Sequence, residues 1–292
     1  MLFEVASSSL PAARAVSGTS APVGIFDSGL GGLSVLRAVR AALPHEPLAY
    51  VADSLYAPYG ERDDDFIVDR TTAIGEWLVA RGAKALVVAC NTATAQSIAH
   101  VRERLAIPLI GVEPGVKPAA LLSKTRVVGV LATAVTLRSL RFQTLLDRYA
   151  SDCRFICQPG HGLVQAVERC DTSSPELMAL LAGYLQPMLD AGADTLVLGC
   201  THYPFLDEAI RAIAGDRLQI VDTSVAIARQ LERQLDTHGL RAADTALLVP
   251  RFFSTADGES QRQLAASLLG IDASVGHVII PSRRTRPLSG IA

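Results

Sequence analysis

The sequence predicts an α/β protein of two pseudo-symmetric, doubly wound parallel-sheet domains with the active site in the cleft between them. Three observations predict it. Short apolar runs alternate with helix-period segments along most of the chain, the rhythm of parallel sheets with helices on both faces. The pattern AxGAxxLVxxC fits both Ala80–Cys90 (ARGAKALVVAC) and Asp190–Cys200 (DAGADTLVLGC), apart from Ala80 against Asp190, and VGIFDSG at Val23–Gly29 resembles VGVLATA at Val128–Ala134. The two matches are offset by 110 and 105 positions, as expected if one half was copied from the other. Asp27, Asp53, Cys90, Glu113, Thr133, Cys200 and Asp222 all fall at or just after the C-terminal ends of expected strands, where ligands bind in such sheets.

The elements follow in order. Residues 1–21, rich in Ala and Ser, have no period and read as a flexible leader. Val23–Phe26 is a short apolar strand, Asp27–Gly32 a glycine-rich turn, and Leu33–Leu43 has helical spacing stopped by Pro44. Leu48–Asp53 is a second strand, and Pro58 and Gly60 mark Ser54–Glu61 as a loop. A helix over Asp64–Arg81 leads to the strand Ala85–Ala89. Cys90 opens a loop, Ala93–Leu105 is a helix, and the strand Leu109–Val112 ends at Glu113-Pro114-Gly115. The second half repeats the rhythm, with strand Arg126–Leu131, helix Ser139–Tyr149, strand Arg154–Cys157, helices Leu163–Arg169 and Pro175–Ala191, and strand Thr195–Leu198, which delivers Cys200. Helix Leu206–Ile213, strand Gln219–Val221, helix Ser224–Leu235, strand Ala246–Phe253 and helix Glu259–Leu269 complete the chain.

The composition narrows the function classes. At 292 residues, 49% hydrophobic and 19% charged, the chain has a globular protein's composition with a sizeable core. A formal charge of −2 offers no basic field for a nucleic acid. No run reaches the roughly 18 apolar residues of a membrane span. Met1–Ala21 lacks a basic start, carries Glu4 and breaks at Pro11, unlike a signal peptide. Five cysteines make an odd number without framework spacing, which points to a reducing, cytoplasmic setting.

Two related halves, each ending a strand in a cysteine, suit a mirror-image reaction. A racemase takes a proton from one face of a carbon and returns one to the other, so it needs equal acid/base groups on opposite sides, and Cys90 with Cys200 fits that need. A thiol acts as a base only as thiolate, so neighbours must tune it. Helix N-termini from Ala93 and Leu206 are expected beside the two thiols. His202 stands two residues after Cys200, and Asp27 is a partner for Cys90. Asn91, Thr92 and Thr201, with the helix N–H groups, suit a substrate carboxylate. Cys153, Cys157 and Cys170 read as packing or idle thiols, and Cys153-x3-Cys157 without a second pair is a poor zinc signature, so no metal is expected. Ser28–Gly32 lacks both GxGxxG and a P-loop lysine, and reads as a tight turn bringing backbone to a small ligand. His45, His100, His161, His238 and His277 are left as surface or core. Glu61–Asp65 reads as a solvated helix start. Spacing alone favours structural roles for Glu113 and Glu168.

The motifs DSGLGGLSVLR, YAPYGER, ACNTATA, GVEPG, TAVT and GCTHYPFL together resemble the glutamate racemase family over roughly Pro22–Gly258. The resemblance implies a cofactor-independent enzyme interconverting L- and D-glutamate, the D-isomer serving peptidoglycan. It implies catalysis by Cys90 and Cys200, with Asp27 assisting Cys90, and His202 and Glu168 assisting Cys200. Glu168 is carried over by its spacing to Cys200, in a context (GHGLVQAVE) less like the family. Ser28, Asn91, Thr92, Thr133, Thr136 and Thr201 would hold the ammonium and α-carboxylate, and Pro58, Tyr59 and Gly60 the side-chain carboxylate. No lysine sits in these motifs to anchor pyridoxal phosphate. By resemblance, residues 22–113 and 222–280 form the first domain and 114–221 the second; residues 281–292 match no part of the family pattern and read as a flexible tail. The resemblance leaves room for a homodimer and a cell-wall-precursor regulator, and no residue is read as carrying either.

Three rival readings stand beside it. A racemase for another acidic amino acid differs only in the pocket around Tyr59 and Gly60. A cysteine hydrolase or transferase using Cys200 and His202 predicts a covalent intermediate and leaves Cys90 idle. A non-catalytic bilobal binder takes glutamate without exchanging its α-hydrogen.

Overall fold

The computed structural model of the chain describes residues 19–243 and 248–283. The leader up to residue 18, the first two residues of the strand expected at Ala246–Phe253, and the tail from residue 284 lie outside the described residues.

The chain begins with β1 (Val23–Asp27), α1 (Leu33–Ala42) and β2 (Leu48–Ala52), and two 3-10 turns lead to α2 (Asp64–Ala80), β3 (Ala85–Val88), α3 (Asn91–Arg104) and β4 (Leu109–Gly111). Then come α4 (Val116–Leu122), β5 (Val127–Ala132), α5 (Ala134–Arg138), α6 (Leu140–Asp147), β6 (Arg154–Pro159), α7 (Leu163–Glu168) and α8 (Pro175–Asp190). β7 (Thr195–Gly199), α9 (Asp207–Ala214), β8 (Gln219–Val221), α10 (Ser224–Thr237), β9 (Arg251–Ser254), α11 (Glu259–Leu269) and β10 (Val275–His277) follow.

The strands form two all-parallel sheets, β10-β9-β2-β1-β3-β4 and β6-β5-β7-β8. The run β2-β1-β3-β4 has its counterpart in β6-β5-β7-β8, so the duplication read from the sequence is a duplication of topology. The register agrees: Val23 faces Ala85 in one sheet and Val128 faces Thr195 in the other, which reproduces both sequence offsets.

The inner strands of the two sheets, β1, β2, β3, β5 and β7, are buried on both faces, which is why they read as continuous apolar runs. In the first, Ile25 and Tyr50 pack against Leu36, Leu231 and Ala265 from α1, α10 and α11, and Phe26 and Val88 pack against Ile74 and Val101 from α2 and α3. In the second, Leu196 and Leu198 meet Leu181, Met188 and Ile210, and Val128 and Val130 meet Val116, Ala120 and Phe142. Helix starts carry capping chemistry: Asp63 accepts from the Phe66 N–H, with Asp64 and Asp65 in the first turn, and Ser139 and Ser174 cap α6 and α8. The solvated helix start expected at Glu61–Asp65 is thus also a cap.

Some elements differ from the sequence reading. α3 begins at Asn91, not Ala93, and Cys90 is its N-cap rather than a loop residue. α4, α5 and β10 were not expected. They are short, and Pro118 in α4 and the β-branched pair Val135 and Thr136 in α5 dilute a helical pattern.

Candidate active site

The strand ends of the two sheets face one another, and polar side chains from both halves meet there. Cys90 and Cys200 are both buried free thiols. The Cys90 sulfur accepts from the Ala93 N–H at 3.4 Å and lies 3.4 Å from the Ser28 hydroxyl. Asp27, fully buried at the end of β1, accepts from Ser28 Oγ at 3.1 Å and Gly29 N at 2.9 Å on one oxygen, and from Thr201 Oγ1 of the other half at 2.8 Å on the second.

The setting of Cys200 is different. No helix starts at Cys200: a 3-10 turn at Tyr203–Leu206 intervenes before α9, which begins at Asp207, so the expected N-terminus at Leu206 is displaced. Its partner is instead His202, whose Nδ1 lies 3.7 Å from the sulfur. His202 Nε2 lies 2.6 Å from Glu168 Oε1, which also accepts from the Leu30 N–H at 2.6 Å. The Gly31 N–H reaches the same Nε2 at 3.2 Å. Nε2 therefore has a partner for each state, Glu168 for its proton and Gly31 for its lone pair, which suits an imidazole that must hold and release a proton.

Burial dominates the electrostatics. It pushes the Cys90 thiol up to about 12, and the Asp27 carboxylate adds to that. Burial also raises Asp27 above the usual carboxylate range, against the lowering pull of His202 and Thr201. Burial alone would lower His202, but its hydrogen bonds to Cys200 and Glu168 outweigh it and hold the imidazole well above its ordinary range. Ligand-free Cys90 is thus a thiol. Its alkylation should climb with pH beyond about pH 10, because only thiolate reacts. Peptide mapping by mass spectrometry checks this, and a plateau in the ordinary thiol range near 8.5 would refute it.

The threonines form a cluster across the cleft. Thr92 Oγ1 of the first half lies 2.9 Å from Thr133 Oγ1 and 3.4 Å from Thr136 Oγ1 of the second, and Thr133 also caps α5. Beside them Asn91 is buried, and its side-chain N–H2 has no partner among the described residues. Pro58 follows a cis bond from Ala57. The Tyr59 phenol is turned inward, donating to Asp53 at 2.6 Å, so what this loop offers the cleft is the backbone at Gly60, beside Thr133. The space between Pro58, Gly60, Thr133, His161 and Gln165 is about 20 Å³, room for about one water molecule. Gln165 Nε2 donates to Glu61 across it at 2.6 Å.

Of the strand-end carboxylates, Asp53 is paired with Arg70, Glu113 with Arg141, and Asp222 accepts from Ser224 in the first turn of α10. Glu168, which spacing left as structural, touches the site. The backbone donors Leu30 and Gly31 were missed; their signal was the run of glycines from Gly29 to Gly32, which leaves room for Glu168 and His202. A Cβ at Gly31 would collide with His202 Nδ1 and come within 2.7 Å of Thr201 Oγ1. Gly31→Ala should therefore lower turnover by about 100-fold and also lower the melting temperature, since such overpacking costs about 1–3 kcal/mol, as a chiral product assay and a thermal melt would report.

A family model described as Asp/Glu/Hydantoin racemase matches residues 33–231. A glutamate racemase of Ralstonia nicotianae is 58% identical over 269 residues, covering 92% of this chain and 97% of the relative. Among solved structures, a glutamate racemase isoform of Bacillus anthracis superposes with a TM-score of 0.80 at 31% identity, covering 90% of this chain and 99% of the other. The Escherichia coli glutamate racemase, in complex with L-glutamate and the activator UDP-MurNAc-ala, gives a TM-score of 0.79 at 32% identity, covering 89% of this chain and 99% of the other. By its match to the family model and by the extent of these likenesses, the chain belongs to the Asp/Glu/hydantoin racemase family and is an amino-acid racemase.

Proposed function

We propose that the protein is a cofactor-independent glutamate racemase using two cysteines, and that it supplies D-glutamate for peptidoglycan from the cytoplasm. The observation that carries the reading is the pair of buried thiols at equivalent strand ends of the two duplicated halves, Cys90 beside the Ser28 hydroxyl that bonds Asp27 and Cys200 beside His202. In one direction a thiolate takes the α-proton: the Cα–H bond breaks and an S–H bond forms. The opposite thiol then gives its proton to the other face of the carbanion, leaving a thiolate there. The site ends with its protons exchanged between the two sulfurs, ready for the reverse direction. Asp27 serves the Cys90 side, through Ser28, and His202 with Glu168 the Cys200 side. Because burial keeps ligand-free Cys90 protonated, the substrate ammonium must favour the thiolate, as an opposite charge does.

The anionic ends of glutamate find neutral donors. Thr92, Thr133 and Thr136 with the free Asn91 N–H2 suit the α-carboxylate, with Ser28 and Thr201 close by, and the Pro58–Gly60 loop suits the side-chain carboxylate. The L-glutamate in the Escherichia coli relative supports this substrate. A homodimer and activation by a cell-wall precursor are carried with the reading, and light scattering and assays with UDP-MurNAc-ala test them.

The experiment is proton NMR of L-glutamate with reduced protein in D2O, beside a chiral assay. Loss of the α-proton with D-glutamate appearing supports the reading. Binding without exchange favours a binder, and exchange of aspartate alone moves the substrate to another acidic amino acid.

A further inference from the structure

Tyr50 is fully buried in β2, in a strand otherwise built of Leu, Ala and Val. Its ring packs in the first core, with the Phe252 ring 6.3 Å away. Its hydroxyl, however, donates to the Gly29 carbonyl at 2.8 Å, beneath the glycine turn. Burial pushes the phenol well above its ordinary range, so it stays a donor.

The turn it touches has an unusual distribution of bonds. The Gly29 N–H goes to Asp27, the Leu30 N–H to Glu168, and the Gly31 N–H to His202. Three consecutive amides are thus committed to the acid/base side chains of both halves. A glycine-rich backbone has wide conformational freedom, so the aim of those amides must be held from outside the turn. The Gly31 carbonyl is held by Ser34 Oγ at 2.8 Å, and the Gly29 carbonyl by Tyr50. Gly32 completes the seat: a Cβ there would lie 3.0 Å from the Tyr50 hydroxyl and 3.0 Å from Asp27 Oδ2.

We propose that Tyr50 is a positioning residue for the racemisation: its hydroxyl fixes the Gly29–Gly32 turn, and the turn's amides fix the His202–Glu168 pair that serves Cys200. The inference rests on the reading that His202 and Glu168 assist Cys200. Tyr50 does not reach substrate. It acts through backbone, in the first half, on the acid/base pair of the second. Phenylalanine fills the same space but orphans the Gly29 carbonyl, which frees the turn to tilt.

The test is Tyr50→Phe in the full chain, with Phe252→Leu as control, since the latter loosens the same core and keeps the hydroxyl. For Tyr50→Phe, kcat should fall about 10- to 100-fold in both directions, with KM changed less than about twofold because the threonine cluster is untouched. The ring-nitrogen NMR shifts of His202 in ligand-free protein should move in Tyr50→Phe and stay in place in Phe252→Leu, whatever either variant does to the melting temperature. Wild-type kcat in Tyr50→Phe, or unmoved His202 shifts, overturns the proposal. The NMR measurement needs no turnover, so a wild-type protein that fails to racemise glutamate counts against the proposed function and leaves the positioning test intact.

Discussion

Replacing either thiol by a hydroxyl, in Cys90→Ser or Cys200→Ser, should reduce racemisation of both enantiomers by about 1,000-fold or more, toward the upper part of the range for one acid/base group. Serine is the nearest polar substitute, slightly smaller than cysteine and still able to donate and accept a hydrogen bond. What it loses is acidity, since a hydroxyl is far harder to ionise than a thiol. The single variants should also separate the faces of the reaction. With one thiol left, α-proton exchange in D2O persists only for the enantiomer whose proton faces it, and the two variants should retain opposite enantiomers. Chiral chromatography with NMR reads both effects. If Cys90→Ser keeps near-normal racemisation, Cys90 is idle and the two-base scheme fails.

The second large effect is on stability. Asp53 and Arg70 form an ion pair at 2.6 Å with both side chains fully buried. Asp53 also accepts from Tyr59, and Arg70 donates to the Ile280 carbonyl and lies over the Tyr56 ring. Removing the carboxylate leaves a buried cation with no counter-charge, which costs about 3–5 kcal/mol, so Asp53→Ala should lower the melting temperature by on the order of 10 °C. The double variant Asp53→Leu with Arg70→Met should recover part of that loss, because it removes both charges. Urea titration decides it; a loss below about 1 kcal/mol in the single variant would mean that water reaches the pair.

The architecture was legible because duplication and alternation are patterns of residue type. The matched runs ending in Cys90 and Cys200 are strands β3 and β7, and the offsets between copies survive as register. The thiols, Asp27 and His202 were legible because polar groups that end apolar strands stand out. The first turn of α3 was not: Asn91-Thr92-Ala93-Thr94 has weak helical preference, and a sulfur is an uncommon cap. Without the family resemblance Glu168 read as structural, since its contact with Leu30 spans 138 positions. Tyr50 read as one more strand residue, because nothing in LAYVA reveals which carbonyl a buried hydroxyl meets.

The order of strands also bears on synthesis. The second sheet is drawn from one contiguous stretch, β5 to β8, complete when Val221 has been made. The first sheet needs β9, which pairs Arg251 with Ala49 across most of the chain's length. Since contacts between distant residues form slowly, the pairing of β9 with β2 is expected to be the late step of the first sheet, whereas the second sheet needs no such distant strand. The β2 edge of the first sheet has no strand to cover it until β9 has been made.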